Sequence, residues 1–184
     1  MLPFHDPALR YRSAPTIETE RLRLRAFQLS DLDYFQTFFA NAHASRHVGG
    51  PSGREDSWRR LLAGVGLWPM TGLGMWAVER RQDGATIGHV GFFDFLRECF
   101  PPISGEPEMG WILTPSAHGQ GYATEACVAM LDWFGHQIGS HAIHAMISPE
   151  NAASMKLAAR LGFERQPDGL YRDQPQTMWR RPPA

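Results

Sequence analysis

The stretch Thr114 to Glu125 reads TPSAHGQGYATE, with Gly119 and Gly121 on either side of Gln120. It follows a short apolar run, Met109 to Leu113, and leads into apolar residues at Ala123, Ala126, Cys127, Met130, Leu131 and Phe134. That spacing is the i, i+3, i+4, i+7 repeat of a helix. A strand that feeds a glycine turn at the start of a helix can seat a phosphate. Glycine has no Cβ, so main-chain N–H groups come close to a ligand. The first-turn N–H groups of a helix lack partners within it, and its dipole is positive at that end. Neither GxxxxGK[ST] nor GxGxxG is present, so neither named phosphate motif fits. Glycines at such a junction also serve as plain connectors, and the turn alone leaves both readings open.

The elements that position this turn are readable along the chain. Arg21 to Phe27 alternates charged and apolar residues, the pattern of a half-buried strand with its arginines in solvent. Ser30 with Asp33 has capping-box spacing and predicts a helix from about Asp31, ending before Gly49-Gly50-Pro51. Trp58, Leu61, Leu62 and Val65 predict the inner face of a second helix from about Arg54, closed by Gly66 and Pro69. Met75 to Glu79 and Thr86 to Phe95 read as strands joined by a turn at Asp83-Gly84. Arg97 to Pro107, with three prolines, reads as a loop. Ala142 to Ile147 reads as a strand, Asn151 to Gly162 as a capped helix, and Tyr171 to Arg180 as a last strand weakened by Pro175. Residues 1–15 form a loosely held arm, and residues 16–181 one mixed α/β layer domain.

Length and composition narrow the function. At 184 residues and 43% hydrophobic content, the chain can build one sizeable core. Its net charge of -1 gives no overall basic field for nucleic acid. No apolar run is long enough to cross a bilayer, and the first residues do not read as a secretory signal. Two cysteines, Cys99 and Cys127, are too few for a disulfide scaffold and point to a reducing, cytoplasmic setting. His136, His141 and His144 lack metal-ligand spacing, and no GxSxG nucleophile elbow occurs. The aromatic residues Phe35, Phe38, Phe39, Trp58 and Trp68 read as core.

From Glu108 the chain reads EMGWILTPSAHGQGYATEA, and later ENAASMKLAARLGFE. These segments, in this order and spacing, resemble the acetyl-CoA site of the GNAT N-acetyltransferases. They are most similar to the branch that includes the ribosomal-protein N-terminal acetyltransferases, which the opening TERLRLRAFQLSD also resembles. The resemblance runs from about Thr16 to Arg180. It implies a mostly antiparallel central sheet flanked by helices, with two central strands splayed apart.

The same resemblance implies roles for particular residues. Main-chain N–H groups of His118, Gly119, Gln120, Gly121, Tyr122, Ala123 and Thr124 would hold the pyrophosphate of acetyl-CoA. His118 stands where the family usually has Arg or Gln, so charge at that position would depend on pH. Trp111, Ile112 and Leu113 match the strand whose main chain grips the pantetheine arm and polarises the thioester. Asn151 and Ser154 match an Asn-x-x-Ser beside that arm; Asn151 also reads as a plain helix cap. Ala158 stands where many members carry a tyrosine acid, which leaves Ser154 or a water to protonate the departing thiolate. Glu108 matches a glutamate of the branch and is the candidate general base, raised by burial near Met109 and Trp111. It reads equally as one half of a structural salt bridge. Glu106 is a second candidate on the adjoining loop, and Glu125 reads as structural.

The implied activity is acetyl transfer from acetyl-CoA to a primary amine by direct attack in a ternary complex, without metal. A protein or peptide N-terminus is the acceptor that the branch favours. The alternatives are a small amine, such as a polyamine, amino acid or antibiotic, and a non-catalytic acyl-CoA-binding module. Neither nucleic acid nor membrane is an expected partner. Paired chains are frequent in the family, so a homodimer stays open.

Overall fold

Leu22 and Leu24 are fully buried, as the alternation around them requires. They lie in a strand, β2 (Leu22–Arg25), that pairs with β1 (Ile17–Glu18) and β3 (Met75–Arg80). The computed structural model describes residues 11–103 and 105–183. Within them, β4 (Ala85–Phe93), β5 (Cys99–Phe100), β6 (Glu108–Leu113), β7 (Ile143–Ile147), β8 (Glu164–Arg165), β9 (Gly169–Tyr171) and β10 (Gln174–Arg181) complete one sheet. Its order is β1-β2-β3-β4-β6-β7-β10-β9-β5, with β8 beside β10. Every pairing is antiparallel except that of β6 with β7. This is the mixed, mostly antiparallel α/β architecture that the sequence implies.

The two faces carry different helices. Ala126, Cys127, Met130 and Phe134 of α4 (Tyr122–Gln137), with Leu157 and Ala158 of α5 (Ala152–Arg160), pack against Val78, Val90, Met109 and Ile143. On the opposite face Phe35, Phe38 and Phe39 of α1 (Asp31–Ala40) cluster with Leu61 of α3 (Arg54–Thr71) and with Ile112. A short helix α2 (Ala42–Ser45) follows α1.

Several local expectations are corrected. The Ser30 side chain makes no cap bond. Instead Asp31 accepts from the Gln28 N–H and from both terminal nitrogens of Arg25. Arg25, expected in solvent, is therefore buried between Asp31 and Glu79. Helix α3 continues past Gly66 and Pro69 to a left-handed Gly72, because Trp68 is buried there and its indole N–H donates to the Met75 carbonyl at 2.9 Å. Its inner face is Ser57, Leu61, Gly64 and Trp68, while Trp58, Leu62 and Val65 are exposed. Small residues let α3 sit close: a Cβ on Gly64 would lie 2.6 Å from the Phe27 ring.

The 97–107 loop contains β5, which pairs with β9. The expected last strand is two strands, turned at Arg172 and Asp173, both at positive φ. Residues 1–10 of the expected arm lie outside the described residues. Tyr11 packs against Trp68 and Trp133, Ala14 is buried, and the Pro15 carbonyl accepts from the Trp76 indole, while Arg12 and Ser13 are exposed.

Candidate functional site

Parallel strands β6 and β7 are bridged at Glu108 and His144, and the His144 N–H donates to the Pro107 carbonyl at 2.9 Å. Beyond Glu108 no β6 residue pairs with β7, while on its other edge β6 pairs with β4 along its whole length. A V-shaped gap thus opens beside β6. The Thr114 N–H donates to the Ile87 carbonyl at 2.8 Å. Bonding alternates along an antiparallel pair. Gly110 and Ile112 therefore turn their main chain to β4, and Met109, Trp111 and Leu113 turn theirs into the gap. Among the three strand residues singled out, Trp111 and Leu113 face the gap. Ile112 does not; its side chain packs on the α1 aromatic cluster.

The glycine turn closes the wide end of the gap. Gly119 (φ +74°) and Gly121 (φ +81°) are left-handed, and a Cβ on Gly119 would meet open space. Gly121 is the N-cap of α4 and no side chain caps the helix. The helix's own bonding starts with Glu125 N–H to the Gly121 carbonyl at 3.0 Å, so the N–H groups of Tyr122, Ala123 and Thr124 lie in the unpaired first turn. Two side chains of the turn bond back to the main chain before it. His118 donates from Nε2 to the Leu113 carbonyl at 3.0 Å, and Gln120 donates to the Ser116 carbonyl at 2.7 Å. His118 thus ties the turn to β6 instead of presenting its ring to a phosphate.

The cation nearest this turn is Arg21, expected in solvent. Arg21 donates from Nη1 to the Gln120 carbonyl at 2.9 Å and sits 4.6 Å from the Tyr122 ring centre. Glu125, structural as expected, accepts from the Arg21 side chain and main chain and from the Thr19 hydroxyl. The contact joins residues about a hundred positions apart, and no local pattern reveals it.

On the α5 side, Asn151 Oδ1 accepts from the Ser154 N–H at 3.1 Å and so caps α5. The Trp111 indole N–H donates to Ser154 Oγ at 3.2 Å, leaving the hydroxyl proton free to donate. Ala158 is fully buried in the core.

At the narrow end, Glu108 is buried. Burial pushes its carboxyl above the ordinary range, against the pull of Arg97, which donates from Nε to Oε2 at 2.6 Å. Arg97 in turn lies 4.9 Å from the Tyr171 ring centre and 5.2 Å from that of Phe95. It borders an open cavity of about 600 Å³ between the 95–100 segment and the β9–β10 turn. Glu106 is held by Arg180 at 2.7 and 3.0 Å, and keeps its carboxyl below the usual range. Among the described residues no group of His, Cys, Asp and Glu could hold a metal ion, and no helix is long and apolar enough to cross a membrane.

Comparison with known proteins follows the same lines. The family model described as an acetyltransferase (GNAT) domain matches residues 21–164. An uncharacterized N-acetyltransferase, YnaD of Bacillus subtilis, is 26% identical over 153 residues, covering 82% of this chain and 83% of the relative. The crystal structure of an acetyltransferase from Agrobacterium tumefaciens superposes with a TM-score of 0.79 at 30% identity, covering 92% of this chain and 95% of that one. A ribosomal-protein-S5-alanine acetyltransferase from Vibrio fischeri has a TM-score of 0.73 at 23% identity, covering 92% and 97%, a likeness of fold.

Proposed function

From the premise that this chain belongs to the GNAT acetyltransferases, we propose that it acetylates the free N-terminus of a protein or peptide in the cytoplasm, using acetyl-CoA. The observation that supports this most is the gap between β6 and β7, which meets the uncapped start of α4. A long ligand with amides along its length and a diphosphate at one end fits both parts. Trp111 and Leu113 offer main-chain groups to the amides, and residues 119–124 offer N–H groups to the diphosphate, while the His118 N–H is already bonded to the Pro115 carbonyl. Arg21 adds a positive charge beside that seat.

Acetyl-CoA, when bound, supplies the acetyl group as an activated thioester. The chain supplies placement. Main-chain donors in the gap hold the carbonyl and favour charge developing on its oxygen. Glu108 faces the α1 side of the sheet and draws the acceptor's ammonium toward the narrow end. Arg97 holds that carboxyl in place and pulls against the burial that raises it. Ser154, with its oxygen held by the Trp111 indole, is positioned to donate a proton to the departing thiolate. Asn151 orients the first turn of α5 beside it. Most of the rate gain is then the positioning of two reactants. Cys127 is deep in the core with its thiol pushed up by burial, which disfavours an acyl-enzyme.

The surroundings of Arg97 support a peptide over a polyamine. The cavity there is lined by Arg97 and Arg172 against Glu98 and Asp173, so its charges balance, and exposed Leu96, Phe100 and Leu170 give it an apolar rim. A polyamine site calls for an acidic pocket. The test is thiol release from acetyl-CoA with peptides bearing free N-termini, with spermidine and with free amino acids. Release with peptides supports the proposal, and release with spermidine alone contradicts the acceptor. Tight coenzyme A binding without release from any amine indicates a binding module.

A further inference from the structure

His144 has no role in the site as described so far, yet it is the partner of Glu108 at the narrow end of the gap. On β7, Ile143, Ala145 and Ile147 point into the α4–α5 core, so His144 points to the opposite face. On β6, Met109 and Leu113 point into that same core. Glu108 therefore projects from the same face as His144, at the narrow end of the gap where the proposed function brings the acceptor's amine. The His144 Nε2 contacts Glu106 Oε2. Glu106 is fixed by two bonds from Arg180 and stays ionised. With Nε2–H facing a carboxylate, the lone pair of the neutral ring lies on Nδ1.

We propose that His144, oriented by Glu106, is the general base that takes the proton from the attacking amine. The inference rests on the acetyltransferase reading above and assigns the proton within it. The ammonium first gives one proton to His144 Nδ1, which frees the lone pair on nitrogen. As that nitrogen bonds the acetyl carbon and the carbon–sulfur bond breaks, its second proton reaches the thiolate through the Ser154 hydroxyl or water, so Ser154 ends protonated. Glu108 is a poorer receiver. A proton on its carboxylate would break the bond to Arg97 and leave that largely buried guanidinium without its charge partner. A proton on His144 is instead met by the negative charge of Glu106, as in a carboxylate–imidazole pair. The charged groups acting on the ring are Glu106 from the loop before β6 and Arg180 from β10, while Glu108, its register partner on β6, is bonded to Arg97. Burial and Arg180 lower the pKa of the ring and Glu106 raises it; burial dominates, so His144 is neutral and ready to accept at neutral pH.

The experiment compares wild type, His144→Gln, Glu106→Gln and Glu108→Gln on acetyl-CoA with a peptide bearing a free N-terminus, across pH 5 to 9. The rate of His144→Gln falls about a hundredfold, its acid limb disappears, and its coenzyme A affinity holds. Glu106→Gln moves that limb to lower pH, because the charge that raises the ring is gone. Glu108→Gln raises KM and retains the limb. A His144→Gln enzyme with the wild-type rate and profile overturns the proposal. A second readout needs no acceptor: nitrogen NMR of the histidine side chains in the coenzyme A complex at pH 7. The expected state of His144 is neutral with its proton on Nε2; a charged ring or a proton on Nδ1 overturns the proposal. Wild type that turns over no amine, with His144 in the expected state, defeats the acetyltransferase reading rather than the ring's assignment.

Discussion

Glu108 and His144 face each other across β6 and β7 at the point where the two strands part. One carries a carboxylate committed to Arg97 and the other an imidazole committed to Glu106. The narrow end of the gap therefore holds a carboxylate paired with an arginine beside a neutral imidazole bonded to a second carboxylate, and the wide end holds unpaired main-chain donors.

The first prediction concerns pH. A base must be unprotonated to act, and the His144 ring is held below the usual histidine value. Activity should persist as pH falls below about 6.5, the ordinary histidine pKa, and then be lost as the ring charges. An acid limb centred above that value in kcat/KM would contradict this account.

Gly121→Ala should weaken coenzyme A binding about tenfold, or roughly 1.4 kcal/mol. The residue sits at φ +81°, and the new Cβ lies 3.4 Å from Arg21 Nη2, so both the turn and its cation shift. Titration calorimetry of wild type and variant measures the difference.

Arg21→Ala should weaken coenzyme A binding less, by about threefold, because a half-exposed cation contributes under about 1 kcal/mol. The loss should shrink in high salt. An affinity difference that does not change with salt would place the effect in loop structure rather than charge.

Asp31→Asn should destabilise the fold by about 3 kcal/mol, since it removes a carboxylate bonded to a buried arginine. Asp31 holds its carboxyl below the ordinary range. Its contribution is thus present above the unfolded carboxylate pKa and is lost as pH falls through the folded one. Denaturant melts at pH 7 and pH 3 should show the variant's deficit narrowing at the lower pH.

Ser154→Ala should lower kcat about tenfold with coenzyme A affinity within about twofold, as its backbone still receives the Asn151 cap. Stopped thiol release gives kcat, and calorimetry gives the affinity. Unchanged kcat would assign the leaving group's proton to water.

The parts legible in the sequence are those set by local periodicity. Leu22 and Leu24 alternate inward, and Ala126, Met130 and Phe134 recur at helical spacing. The glycine turn was visible because left-handed positions select glycine. Long-range partners were not visible. Arg25 looked like one more exposed arginine until Asp31 and Glu79 closed around it. Arg21 met Glu125 across the fold, and Arg97 met Glu108 from a stretch read as loop. The spacing of His144 to the other histidines is not that of a metal site and signals nothing locally; its significance lies in the strand register beside Glu108. Helix α3 misled because its buried face is built on Ser57 and Gly64, small residues that carry no apolar signal.

The most direct measurement is a crystal structure of the chain with coenzyme A. The account predicts the pantetheine arm between β6 and β7, bonded to the main chain of Trp111 and Leu113, with the diphosphate on residues 119–124. Coenzyme A bound elsewhere, or a gap closed by the protein's own side chains, would contradict it.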